Sequence, residues 1–247
     1  MTILVGLLNL ALGSVYTGYG VITAVEMKRG WRSYGFSHFG LAWILMAFTC
    51  GPHHLTHGIH TLFEGRQGGP LDLVAVVAGL PAGAAFILLR LEAFRGGAGD
   101  RFIGGTPRWI LALPTAAAIY VTALIAAGMN TAASGFQAQW IALPNLGLFV
   151  IYMTIGYFLL RTQLQAHGGS GGWSTSGLSL AFVFPTCALM HAVFILYAGV
   201  GLYALDPHGF VIDWAGVPAG LYFLWVVRRL YHEALRDWND APAPAAA

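Results

Sequence analysis

The sequence has few charged residues. Lysine, arginine, aspartate and glutamate make up 9% of its 247 residues, whereas a soluble domain carries about 25%. Hydrophobic residues make up 57%, and the mean hydropathy is +0.67. A chain of this composition cannot cover its surface with polar side chains in water. The composition therefore excludes a soluble globular domain.

The chain also has few cysteines and a small net charge. The two cysteines, Cys50 and Cys187, both lie inside apolar runs. The disulfide framework of a small secreted domain is therefore not expected. The formal net charge of +2 is too small to indicate a nucleic-acid partner.

Apolar runs of about 20 residues predict an all-α integral membrane protein that lies in a lipid bilayer. Seven transmembrane helices are predicted, at residues 3–25, 39–63, 71–94, 109–129, 140–160, 177–204 and 210–231. Together they form a single transmembrane domain over residues 1–240. The alanine- and proline-rich tail 241–247 is expected to be disordered.

The basic residues predict the orientation of the chain in the membrane. They concentrate in the segments after the first, third, fifth and seventh spans: Lys28, Arg29, Arg32, Arg95, Arg101, Arg108, Arg161, Arg228, Arg229 and Arg236. The alternate loops contain only Arg66. Basic loops stay in the cytoplasm, so the N-terminus is predicted outside and the C-terminus inside. The expected location is the bacterial cytoplasmic membrane.

The most informative stretch is 50–64, where four histidines fall within eight residues at the end of an apolar run. A helical repeat of 3.6 residues places five polar residues on one stripe: Cys50, His53, His57, His60 and Glu64. His54 lies beside this stripe. In the predicted orientation the histidines lie in the outer half of the second span, at a depth similar to that of His191. Ionisable groups in a bilayer are costly and usually face the bundle interior.

Imidazole, thiol and carboxylate groups on one face are the ligands that transition metals prefer. His57 is within one turn of both His53 and His60, and a further ligand has to come from another span. The candidate metal ligands are Cys50, His53, His57, His60, Glu64, Cys187, His191 and Asp213. Copper, zinc and iron all suit this set. The pattern indicates a metal-dependent membrane enzyme, redox or hydrolytic, or a subunit of one.

Two other functions use the same histidines. A b-type haem needs axial histidines from facing helices, and His54 or His57 with His191 would serve. A protein that binds or transports metal ions or protons is the other alternative. Membership in a larger membrane complex is compatible with each of the three functions.

Known histidine-containing membrane families do not fit residue by residue. Seven spans in this orientation resemble microbial rhodopsins, which need a lysine in the last span. The only lysine here is Lys28, in a loop. The segment His53-His54-Leu55-Thr56-His57 resembles one histidine box of the membrane hydroxylases and desaturases, but no second box follows. Ceramidase-type hydrolases need histidines at the depth of the site in the last span, whereas His232 lies at the opposite boundary.

Overall fold

The structure is a computed structural model that describes residues 1–64, 69–105, 142–169, 171–199 and 207–240, with the single positions 119 and 126. The described residues form six helices and two short strands: α1 (Thr2–Tyr34), α2 (His38–Phe63), α3 (Pro70–Phe94), β1 (Phe102–Ile103), α4 (Ala142–Ala166), β2 (Trp173–Ser174), α5 (Thr175–Gly199) and α6 (Pro207–Asp240).

The all-α prediction is confirmed for the described residues. Six of the seven predicted spans correspond to a helix, and α1 and α6 continue past the predicted span ends at residues 25 and 231. The predicted fourth span, 109–129, and the tail 241–247 lie outside the described residues. The assignment of residues 1–240 to a single domain stays a prediction.

Five of the described helices are long and apolar enough to cross a membrane: α1, α3, α4, α5 and α6. The helix α2 is not among them, although it has 26 residues. Four histidines and Pro52 lower the hydropathy of its C-terminal half. A helix of this kind is stable in a bilayer when neighbouring helices cover its polar face.

The described helices pack side by side in a closed ring, in the order α1, α2, α6, α4, α5, α3 and back to α1. Because α2 and α5 occupy opposite positions in this ring, their facing side chains meet in its interior. Both helices also run in the same direction. From Cys50 onwards, residues one turn apart on α2 therefore face residues one turn apart on α5.

The helices α1 and α2 approach each other closely where Gly13 faces Gly51. A Cβ atom on Gly13 would lie 2.8 Å from the carbonyl oxygen of Gly51, and one on Gly51 would lie 3.2 Å from that of Gly13. Small residues permit such backbone contact between membrane helices. This contact brings the polar residues of α1 next to the histidines of α2.

The strands β1 and β2 form a two-stranded antiparallel ribbon that leads into α5. Asp100 anchors the start of α5, since its carboxylate accepts hydrogen bonds from the Ser174 hydroxyl at 2.6 Å and the Ser176 backbone N–H at 2.9 Å. Partial burial raises the pKa of Asp100, but these hydrogen bonds and one from the Arg101 N–H outweigh it, so the pKa lies below its ordinary value. The carboxylate is thus charged near neutral pH and positions α5.

Candidate functional site

Side chains of α2 and α5 face each other at four successive levels. Trp43 faces Phe184 with ring centroids 5.7 Å apart, and Cys50 faces Cys187. One turn further along, His53 faces His191. The last level pairs His57 with Phe194. The interior thus changes from aromatic to sulfur-containing to imidazole-containing along the two helices.

The two cysteines form the sulfur level. Their Sγ atoms are 3.8 Å apart, and both thiols are free. An S–S bond measures about 2.04 Å, so the two sulfurs are close but not bonded. The hydroxyl of Tyr152, from α4, lies 3.1 Å from the Cys50 Sγ atom. Two thiols from facing helices, with a hydroxyl beside one of them, form a group able to bind a soft cation.

The imidazole level is held by a closed set of polar contacts. The ring centroids of His53 and His191 are 5.3 Å apart. His191 Nδ1–H donates to Asn145 Oδ1 at 2.6 Å, and the Asn145 amide N–H donates to Asp213 Oδ2 at 2.8 Å. The other carboxylate oxygen of Asp213 lies 2.7 Å from His53 Nδ1. Both rings are therefore oriented through Nδ1 by residues of α4 and α6.

His54 faces α1 instead of α5. It is 1% exposed, and its Nδ1–H donates to Asn9 Oδ1 at 2.8 Å. The Nε2 atom is buried and makes no hydrogen bond within the described ranges. The ring also packs edge-on against Tyr16, with centroids 5.4 Å apart. His54 is thus next to His53, with centroids 5.9 Å apart, but is oriented by a different helix.

His57 and His60 each lie beside a carboxylate. His57 Nε2 is 3.0 Å from Asp72 Oδ2, a fully buried oxygen on α3. His60 Nδ1 is 2.5 Å from Glu64 Oε2, and the Glu64 side chain is 50% exposed. The exposed ring of His208, on α6, stacks on His60 with centroids 6.2 Å apart. The histidine stripe therefore extends from the interior of the bundle to the end where α2 finishes.

The structure brings four of the predicted metal ligands into two facing pairs. Of the others, Asp213 lies beside His53, and His57, His60 and Glu64 continue along α2 towards its C-terminal end. The facing pairs are Cys50 with Cys187 and His53 with His191. Within the described ranges, no group of three or more His, Cys, Asp or Glu side chains already has the arrangement to hold a metal ion. The metal and haem ligand sets stay predictions.

Two buried residues of the site had no place in the sequence-based set. Asp72 is 0% exposed and Asn145 is 2% exposed, and each is bonded to a histidine. In the sequence, each is a lone polar residue in an apolar run. Because buried polar groups in membranes need partners, this pattern could have indicated that both residues lie at the site.

Comparison with protein-family models, with curated proteins and with solved structures finds no match to this chain.

Proposed function

We propose that this chain is a membrane metalloprotein that binds one transition-metal ion between α2 and α5. The ligands are the thiolates of Cys50 and Cys187 and the Nε2 atoms of His53 and His191. The observation that carries this proposal is that two Cys–His pairs face each other, with Cys50 opposite Cys187 and His53 opposite His191. Each pair is spaced by three or four residues, and therefore each lies on one face of its helix.

The separations within each level fit tetrahedral coordination. At metal–sulfur distances of about 2.3 Å and tetrahedral angles, two sulfurs are about 3.8 Å apart. Two imidazole rings bound through nitrogen at about 2.0 Å have centroids about 5.2 Å apart. The observed values are 3.8 Å for the sulfurs and 5.3 Å for the rings. The cysteine pair and the histidine pair lie one turn apart, so both pairs have to move towards a shared ion for all four residues to bind it.

The contacts around the rings support the same assignment. A ligating histidine usually donates its second ring N–H to a carboxylate or carbonyl oxygen, which fixes the ring and leaves the other nitrogen for the metal. His191 does this through Asn145, and His53 has Asp213 at 2.7 Å. Asn145 and Asp213 are themselves hydrogen-bonded. The hydrogen-bonded pair of Asn145 and Asp213 therefore orients both imidazole ligands.

The ligand types point to zinc or copper. Two thiolates carry two negative charges, which balance a divalent ion where the bilayer offers no water to solvate it. Thiolate ligands also favour copper in its reduced state. Four protein ligands leave no open coordination position, so this set is typical of a structural or electron-transfer centre. A redox or hydrolytic enzyme would need one ligand to leave when substrate binds.

The purified protein is expected to contain about one transition-metal ion per chain, because the proposed site takes all four of its ligands from a single chain. Elemental analysis of protein prepared under reducing conditions measures this content. Loading with Co²⁺ should then produce a thiolate-to-metal charge-transfer band in the near ultraviolet. A preparation that neither contains metal nor takes up Co²⁺ would refute the proposal. An intense Soret band would instead indicate the haem alternative, with His54 or His57 and His191 as ligands.

The proposal includes seven spans with the N-terminus outside, in a bacterial cytoplasmic membrane. The distribution of arginines supports this orientation, which places the site in the extracytoplasmic half. A reporter active only in the cytoplasm should be active when fused after Trp238 and silent when fused after Gly68. The opposite pattern would place the histidines on the cytoplasmic side and overturn the orientation.

A further inference from the structure

The polar stripe of α2 continues well beyond the four proposed ligands. From Glu64 to Cys50 it covers 15 residues and rises about 21 Å along the helix axis. Its members are spaced by three or four residues throughout, so they stay on one face. Because only Cys50 and His53 belong to the proposed site, the remaining ten or so ångströms of polar stripe need another explanation.

This remaining part has two steps, which lead from the half-exposed Glu64 to the fully buried Asp72. Glu64 is half exposed at the end of α2, and His60, beside it, is 9% exposed. The next step is His57, which is 8% exposed and contacts the fully buried Asp72. Each step combines one imidazole with one carboxylate. Imidazole and carboxylate groups are ligands for a divalent transition-metal ion, and their charge offsets the cost of moving a cation away from water.

The other end of the site is closed by an aromatic layer. Trp43, Phe184 and Phe223 pack against one another with ring centroids 5.0 to 5.7 Å apart. Phe86 and Tyr19 extend this layer towards α1 and α3. Phe184 is also 5.7 Å from Tyr152, the residue that contacts Cys50. A hydrated cation would have to lose its water to cross this layer, so access from this side is unfavourable.

We propose that the pairs His60–Glu64 and His57–Asp72 are relay sites for a divalent transition-metal ion, which reaches Cys50 and His53 from the end of the bundle where α2 finishes. This inference rests on the proposed metal site. The ion exchanges water for Glu64 and His60, then for Asp72 and His57, and then for the final ligands. Removing a relay residue should slow loading without removing the site.

The relay is tested by the rate at which metal-free full-length protein takes up Co²⁺. In the His60→Ala and Asp72→Asn variants the rate should fall by at least about tenfold, the factor that corresponds to 1.4 kcal/mol. The final stoichiometry should match that of the wild type. Glu233→Gln is the matched control, because Glu233 pairs with Arg229 at the far end of α6 and should load at the wild-type rate.

Three results separate the relay from the site. If the wild type takes up Co²⁺ and both relay variants load as fast, the relay is refuted and the site stands. If either variant loses stoichiometric binding, the changed residue is a ligand and not a relay. If the wild type takes up no Co²⁺, the relay is refuted, and the site is refuted with it when the purified protein also contains no transition metal. A Glu64→Gln variant with intermediate slowing would match its exposed position at the start of the relay.

Discussion

Replacing Cys50 with serine is expected to lower the affinity of the protein for a transition-metal ion by more than about a hundredfold. The hydroxyl of serine is not ionised at neutral pH, so the variant loses one thiolate bond and one neutralising charge. Loss of a residue that hydrogen-bonds to a metal ligand lowers metal affinity by about tenfold to a hundredfold, and loss of the ligand itself should exceed this range. Competition with a chromophoric chelator measures the affinity.

The same experiment on the facing residues distinguishes ligands from their supports. Cys187→Ser and His191→Ala should match Cys50→Ser, whereas Asp213→Asn should lose about tenfold to a hundredfold because it only orients rings. His167→Ala is the control, since His167 is half-buried, lies outside the candidate site and contacts Trp173 and the Gly105 carbonyl. Unchanged affinity in Cys50→Ser and Cys187→Ser would show that the facing thiols do not bind the metal.

The sequence predicted the helices and the polar stripe because both depend on local spacing. Spacings of three and four residues place Cys50, His53 and His57 on one face of any α-helix, whatever the helix packs against. Cys187 and His191 follow the same rule on α5. The two Cys–His pairs were therefore visible as pairs, and the structure adds that they face each other in register.

The partners of the histidines could not be predicted, because they depend on the order in which the helices pack. His57 looked central to the metal site, as it lies within one turn of both His53 and His60. In the structure its Nε2 atom contacts Asp72 of α3, because α2 and α3 both pack against α1. Asp213 reaches His53 because α6 packs on α2. These non-local contacts leave no periodic signal in the sequence.

The hydropathy of α2 illustrates a second limit. A helix that faces a polar interior needs an apolar face only towards lipid and apolar neighbours, so its mean hydropathy is below that of a lipid-exposed span. The structure places α2 between α1 and α6, with its histidines turned towards residues of four other helices. Low hydropathy in α2 therefore reflects the site that the helix carries.

Gly13→Ala is expected to lower the thermal midpoint of the protein in detergent by roughly 2–12 °C, the shift that corresponds to about 1–3 kcal/mol of overpacking. The new Cβ atom would lie 2.8 Å from both the Gly51 carbonyl oxygen and the Leu55 backbone nitrogen. Neither atom belongs to a side chain that can rotate away, so α1 and α2 have to separate. The midpoint is measured by the loss of helical circular dichroism or by a thiol-reactive dye.

Separation of α1 from α2 should also disturb the candidate site. Asn9 lies one turn from Gly13 on α1, and its Oδ1 accepts the hydrogen bond from His54 Nδ1–H. Gly168→Ala is the matched control, since a Cβ atom there would have nothing within 4 Å. It should leave the midpoint unchanged. A Gly13→Ala midpoint equal to that of the control would mean that α1 and α2 are not in backbone contact at this position. The helix that carries the histidines would then lack the packing that brings Asn9 to His54.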